Sequence, residues 1–181
     1  GIAAALNNVA TARNFLAIAE GGLRQIQNIL MAVKEEVTRA ADDVNGPHER
    51  DASSVTIESM LSEVDDTVNE TIGGDRRLLD GTYINVSYQI GEATTSTLRF
   101  SMNQDHTKAG LGIDAPNMSD LVFTAAGSAV ALTNIDTAIE TVSGSLEQIG
   151  AIMNRLNFQE TTLSVDMTGT KAINSRLSDT D

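Results

Sequence analysis

The stretch "AEGGLRQIQNILMAVKEEV", Ala19 to Val37, carries apolar side chains at alternating steps of three and four. The stepping continues outward without a break through Val9, Ala12, Leu16, Ala19, Leu23, Ile26, Leu30, Val33, Val37 and Ala40. A seam held over this length predicts a helix packed lengthwise on partner helices. At 1.5 Å per residue it would run about 48 Å. Gly21 and Gly22 each cost a helix about 1 kcal/mol relative to alanine. They fall between seam positions Ala19 and Leu23, so the core stripe passes them by. Either the surface tolerates them, or they mark a place where another helix or subunit comes close.

Composition narrows what such a rod can be for. The chain of 181 residues is 41% hydrophobic but only 3% aromatic, with no Trp, two Tyr and four Phe. Enzyme cores and base-stacking surfaces use more rings than that. A net charge of −13 opposes phosphate backbones and anionic membranes, which argues against nucleic acid or a membrane as partner. With no cysteine, disulfides and thiolate metal sites are excluded. No apolar run approaches the roughly 18 residues of a membrane span. The first residues also lack the basic-then-apolar order of a signal peptide.

Beyond the first helix (1–42), "DDVNGPHERDASS" (Asp42 to Ser54) reads as a loop stopped by Asn45-Gly46-Pro47. Ser53 or Ser54 would then cap a second helix (54–72) bearing Ile57, Leu61, Val64 and Val68. Gly73-Gly74 and Asp80-Gly81 mark turns. Alternation follows, with Ile84, Val86, Tyr88 and Ile90 set against Asn85, Ser87 and Gln89. A second run sets Leu98, Phe100 and Met102 against Thr97, Arg99 and Ser101. "GEATT" (Gly91 to Thr95) would join them in a β-hairpin over 83–102. Residues 103–123 are irregular. From 128 to 177 heptads return through Ile135, Ile139, Val142, Leu146, Ile149, Met153 and Leu156, weaken at Glu160, and resume at Leu163 and Met167. The expected fold is mainly α, a single elongated antiparallel bundle of long heptad-patterned helices with the hairpin between the second and last helices. In it Leu23, Ile26, Leu30 and Val33 face Ile139, Val142, Leu146 and Ile149.

The chain offers little to chemistry. His48 and His106 lack a second ligand at helical spacing. "ADDVNGPHERDA" resembles a calcium loop until its first and twelfth positions, where Ala41 and Ala52 replace the needed carboxylates. Glu35-Glu36 and Asp65-Asp66 are sequence neighbours and diverge on a helix, as a solvated face does. "IGGDRR" lacks the phosphate-loop spacing, and "GLGID" is too short for a dinucleotide fingerprint. No nucleophile pairs with a base. An enzyme is not expected, nor any cofactor or metal.

The order of features resembles the bacterial flagellins. "AIAEGGLRQIQNILMAVKEEVTRAAD" is similar to that family's first long helix, and "SMLSEVDDTVNETIGGDRRLLDG" to the stretch ending in its Phe-Asn-Gly-x-x-Leu-Leu corner. "YQIGE" matches the opening of its hairpin. "ALTNIDTAIETVSGSLEQIGAIMNRL" and "AINSRLSDTD" resemble its C-terminal helix. Gly73-Gly74-Asp75 departs from the family's Phe-Asn-Gly, and 103–123 leaves no room for its outer domains. The resemblance also implies terminal helices before "GIAAAL" and after "SDTD", so this is expected to be a rod trimmed of its polymerisation segments. A chain so trimmed would stay monomeric or weakly associated.

The resemblance implies a structural subunit of the flagellar filament, exported through the flagellar channel and assembled outside the cell for motility. It implies other flagellin subunits, an export chaperone, and junction and cap proteins as partners. In a filament, Gly21 and Gly22 could admit a neighbouring subunit. Two other readings are a hook–filament junction protein, which shares the end helices, and a coiled-coil adaptor, against which the hairpin argues. Many flagellins are sensed by Toll-like receptor 5, through a motif resembling Leu-Gln-Arg-Val-Arg-Glu-Leu-x-x-Gln and an acid in the second helix. Aligned here, its Leu falls on Leu30, its arginines on Ala32 and Lys34, and its Glu on Glu35. Its second Leu falls on Glu36, its Gln on Arg39, and the second-helix acid on Thr56. Receptor binding is therefore expected to be weak or absent.

Overall fold

The computed structural model describes residues 1–93 and 96–180. Its elements are α1 (Ile2–Ala40), α2 (Pro47–Glu70), a ribbon of β1 (Ile72–Gly73) and β2 (Arg76–Arg77), a hairpin of β3 (Tyr83–Gln89) and β4 (Thr97–Met102), a 3-10 turn (Ala115–Asn117) and α3 (Ala125–Thr180). At 1.5 Å per residue α1 spans about 58 Å and α3 about 84 Å, which makes the molecule a rod. Every seam residue of α1 from Val9 to Ala40 is buried. Three ties across α1 and α3 share one antiparallel register. Arg13 pairs with Glu160, Gln27 Nε2 donates to Ser143 Oγ at 3.2 Å, and Lys34 Nζ lies 2.7 Å from Asp136. That register sets Leu30 opposite the turns around residue 140. Glu160, the charge that weakens the seam, is there to meet Arg13. Helix α2 lies on α1 and buries Ile57, Leu61, Val64 and Val68.

Several boundaries move for local reasons. Helix α2 begins at Pro47 rather than residue 54. Proline suits the first helical position, and Glu49 Oε2 accepts the Gly46 N–H at 3.1 Å. Ser53 and Ser54 are therefore inside the helix, where they tie to Glu36 and to the Ser119 carbonyl instead of capping. The last helix starts at 125 and runs to 180. Its seam passes through Ala138, Val142, Ile149 and Ile152. Ile139, Leu146 and Met153 lie one position off it, half-buried.

The hairpin is antiparallel, but its register shifts between Tyr83 and Val86. Asn85 sits there at φ 56°, a left-handed conformation that asparagine tolerates. The bulge reverses the faces, so Tyr83 is buried and Ile84 is 44% exposed, contrary to simple alternation. Leu98, Phe100 and Met102 all point into the core. The expected "GEATT" connection includes 94–95, which lie outside the described residues. Asn8 Nδ2 donates to the Gln89 carbonyl and Gln159 Nε2 to that of Ile90, both at 2.8 Å, so α1 and α3 clasp the end of β3 between them.

The two helical glycines separate. A Cβ on Gly21 would meet nothing within 4 Å. One on Gly22 would stand 2.5 Å from Thr71 Oγ1 and 2.9 Å from Leu79 Cδ1, both on buried residues. Within the chain, the close approach is made at Gly22, by the segment after α2, while Gly21 lies open on the surface of α1. Gly21→Ala is expected to stabilise by about 0.5–1 kcal/mol, through helix propensity. Gly22→Ala is expected to lose about 1–2 kcal/mol net, because overpacking outweighs the same gain. Urea denaturation of the two variants checks this, and shifts of the same sign would refute it.

Candidate functional site

Among the described residues no three His, Cys, Asp or Glu side chains converge as metal ligands, and no helix is long and apolar enough to cross a membrane. What the rod presents is surface, and two parts of it concern the residues singled out from the sequence.

The first is the groove between α1 and α2. Seam spacing puts Val33 and Val37 inward, so Ala32, Glu36 and Arg39 fall on the outer flank of α1. Glu36 and Arg39 line the groove with Asn45, Glu49, Ser53 and Thr56 of the facing segment. Glu36 accepts from Arg39 Nη2 at 2.6 Å and from Ser53 Oγ at 2.9 Å. The Arg39 bond holds the Glu36 carboxyl below its ordinary range, against an opposing effect of burial. Arg39 also reaches Glu35 at 3.2 Å. Ala32 and Thr56 are exposed and offer only a methyl and a hydroxyl. The structure therefore brings Glu36, Arg39 and Thr56 together, with Ala32 one turn along α1. The carboxylate at 36 is engaged within the chain.

The second is the far half of α3. Its last buried residue is Leu163. Phe158, Val165, Ile173 and Leu177 are 59–76% exposed along it. The seam residues Leu16, Leu23, Ile26, Leu30, Val33 and Val37 of α1, and Val142 and Ile149 of α3, are all buried. They belong to the interior and not to any surface.

Two features escaped sequence reading. Residues 103–123 fold back on α2 through Glu58, which accepts from Lys108 Nζ at 3.1 Å and Ser119 Oγ at 3.0 Å, and through Asp65, which accepts the Lys108 N–H at 2.8 Å. His106, on the same segment, is buried with its ring against the Leu79 carbonyl and Ser145 of α3. Neither follows from periodicity, because the partners are 27 to 61 residues away in sequence.

Comparison with known proteins gives the rod its kin. Residues 1–84 match the family described as the bacterial flagellin N-terminal helical region. The flagellin-like protein YvzB of Bacillus subtilis is 32% identical over 126 residues, covering 69% of this chain and 77% of its own. Flagellin of the same organism is 28% identical over 211 residues, covering all of this chain and 69% of its own. In structure, Bacillus cereus flagellin superposes with TM-score 0.73 at 21% identity, covering 87% of this chain and 88% of that one. A flagellar hook-associated protein of Vibrio parahaemolyticus superposes with TM-score 0.82 at 16% identity, covering 97% and 90%. At such identities the two structures establish the fold, and the closer sequence relatives establish the kinship. The chain belongs to the bacterial flagellins.

Proposed function

We propose that this chain is a self-assembling structural subunit of the extracellular flagellar filament, exported through the flagellar channel and built into a homopolymer that serves motility. The observation that carries this reading is the rod itself, joined to 32% identity with a flagellin-like relative over most of both chains. Contacts at three levels hold α1 and α3 in one antiparallel register along the rod. The exposed apolar side chains of α3 supply a face for packing against copies of itself. An export chaperone and junction and cap proteins complete the proposed partners, and no step requires a cofactor. The test is the protein content of filaments sheared from cells. This chain should be their major component, and its absence from them would refute the proposal.

A hook–filament junction protein is the second reading, favoured by the superposition on the hook-associated protein. Identity with flagellin sequences weighs against it. Exposed Ala32 and Thr56, with Glu36 held by Arg39 and Ser53, further support a surface that Toll-like receptor 5 engages weakly or not at all.

A further inference from the structure

His106 lies between the hairpin and α3 with 2% of its surface exposed. Its backbone N–H donates to the Leu79 carbonyl at 2.9 Å, and its Nδ1 lies 3.0 Å from the same oxygen. A carbonyl only accepts, so Nδ1 carries a hydrogen. Nε2 lies 2.7 Å from Ser145 Oγ of α3, which is also 3.2 Å from the Thr141 carbonyl. The serine has one hydroxyl hydrogen for these two acceptors. While the imidazole is neutral, Ser145 donates to Nε2. Once Nε2 is protonated, Ser145 must turn to Thr141 and receive from the ring. The ring thus joins three parts of the chain, namely the segment before β3, the segment after β4, and α3. Leu23 of α1, Met102 of β4 and Ile149 of α3 share its enclosure, and an apolar enclosure opposes a cation.

We propose that His106 is an acid-sensitive clasp, which when neutral fastens the 103–124 segment to α3, and which proton uptake in mildly acidic solution releases while the α1–α3 rod stays folded. The neighbours Gln104 and Gln148 carry no charge. The Asp105 carboxylate acts on the ring in favour of the proton, as does the Leu79 carbonyl, but burial outweighs both and lowers the imidazole below its ordinary value. The fastened form then binds fewer protons than the released one, so release grows as pH falls. With the released imidazole at its ordinary value of about 6.5, the opening constant rises between pH 7.5 and 5.5 by up to about tenfold.

Nuclear magnetic resonance of the chain with isotope-labelled histidine, together with amide hydrogen exchange, tests this. The His106 ring should carry its hydrogen on Nδ1 when neutral and titrate below the ordinary imidazole value. Protection of the Leu111 and Ile113 amides, corrected for intrinsic exchange, should fall severalfold, up to about tenfold, from pH 7.5 to 5.5, while that of Leu30 stays level. His106→Gln should abolish the pH dependence of this protection. Titration of His106 at the ordinary imidazole value would overturn the proposal, as would constant protection across the range. So would the same pH dependence in His106→Gln. If that variant fails to fold, the titration of the unaltered chain still decides.

Discussion

Replacing Leu30 by alanine is expected to cost about 2–5 kcal/mol of stability, because a fully buried leucine loses its transfer energy and leaves a cavity. Leu30 is 0% exposed. The ties of Gln27 to Ser143 and Lys34 to Asp136 bracket it on either side, which limits how far α1 and α3 can close over the gap. With a urea m-value of about 2 kcal/mol/M, the unfolding midpoint should fall by about 1–2.5 M. Met31, the next residue, is 59% exposed, and Met31→Ala should stay within about 0.5 kcal/mol. Far-UV circular dichroism during urea titration reads both. Equal effects would mean that the seam does not divide interior from surface as described.

In a reporter-cell assay for Toll-like receptor 5, this chain should be at least about a hundredfold less potent than a flagellin carrying the full receptor motif. Arginine and buried apolar anchors each often contribute 2 kcal/mol or more at interfaces, and 1.4 kcal/mol is a tenfold change. Here the aligned positions hold Ala32 for an arginine, Glu36 for a leucine and Thr56 for an acid. Glu36 is also bound to Arg39 and Ser53, so a partner would have to strip a satisfied carboxylate before packing on it. Ala32→Arg, Glu36→Leu and Thr56→Glu combined should recover much of the response. Full potency in the unaltered chain would refute the mapping.

Legibility in the sequence followed the range of the interaction. The α1 stripe was plain because heptad spacing alone decides which side of a helix faces inward, and every position from Val9 to Ala40 obeys it. On α3 the same spacing admitted two stripes that share Ile135, Val142, Ile149 and Leu156. Size favoured Ile139, Leu146 and Met153, yet the bundle took Ala138 and Ile152 inward. Small side chains let helices approach closely, and composition gives no sign of which positions will need that. Gly21 and Gly22 look alike in the chain. They differ because Thr71 and Leu79 arrive over only one of them. The bulge at Asn85 likewise reverses a face that alternation alone assigned the other way. Of the groove residues, Glu36 was placed by its register on α1. Its bond to Ser53 depended on α2 starting at Pro47, well before the serines that looked like caps.

Filament subunit and junction protein share this fold, so the location of the chain along the flagellum separates them. Antibodies raised against the chain and carried on gold particles, viewed on intact flagella by electron microscopy, give that location directly. A filament subunit predicts gold along the whole length of the filament. Gold confined to the joint between hook and filament would contradict the account and assign the chain to the junction.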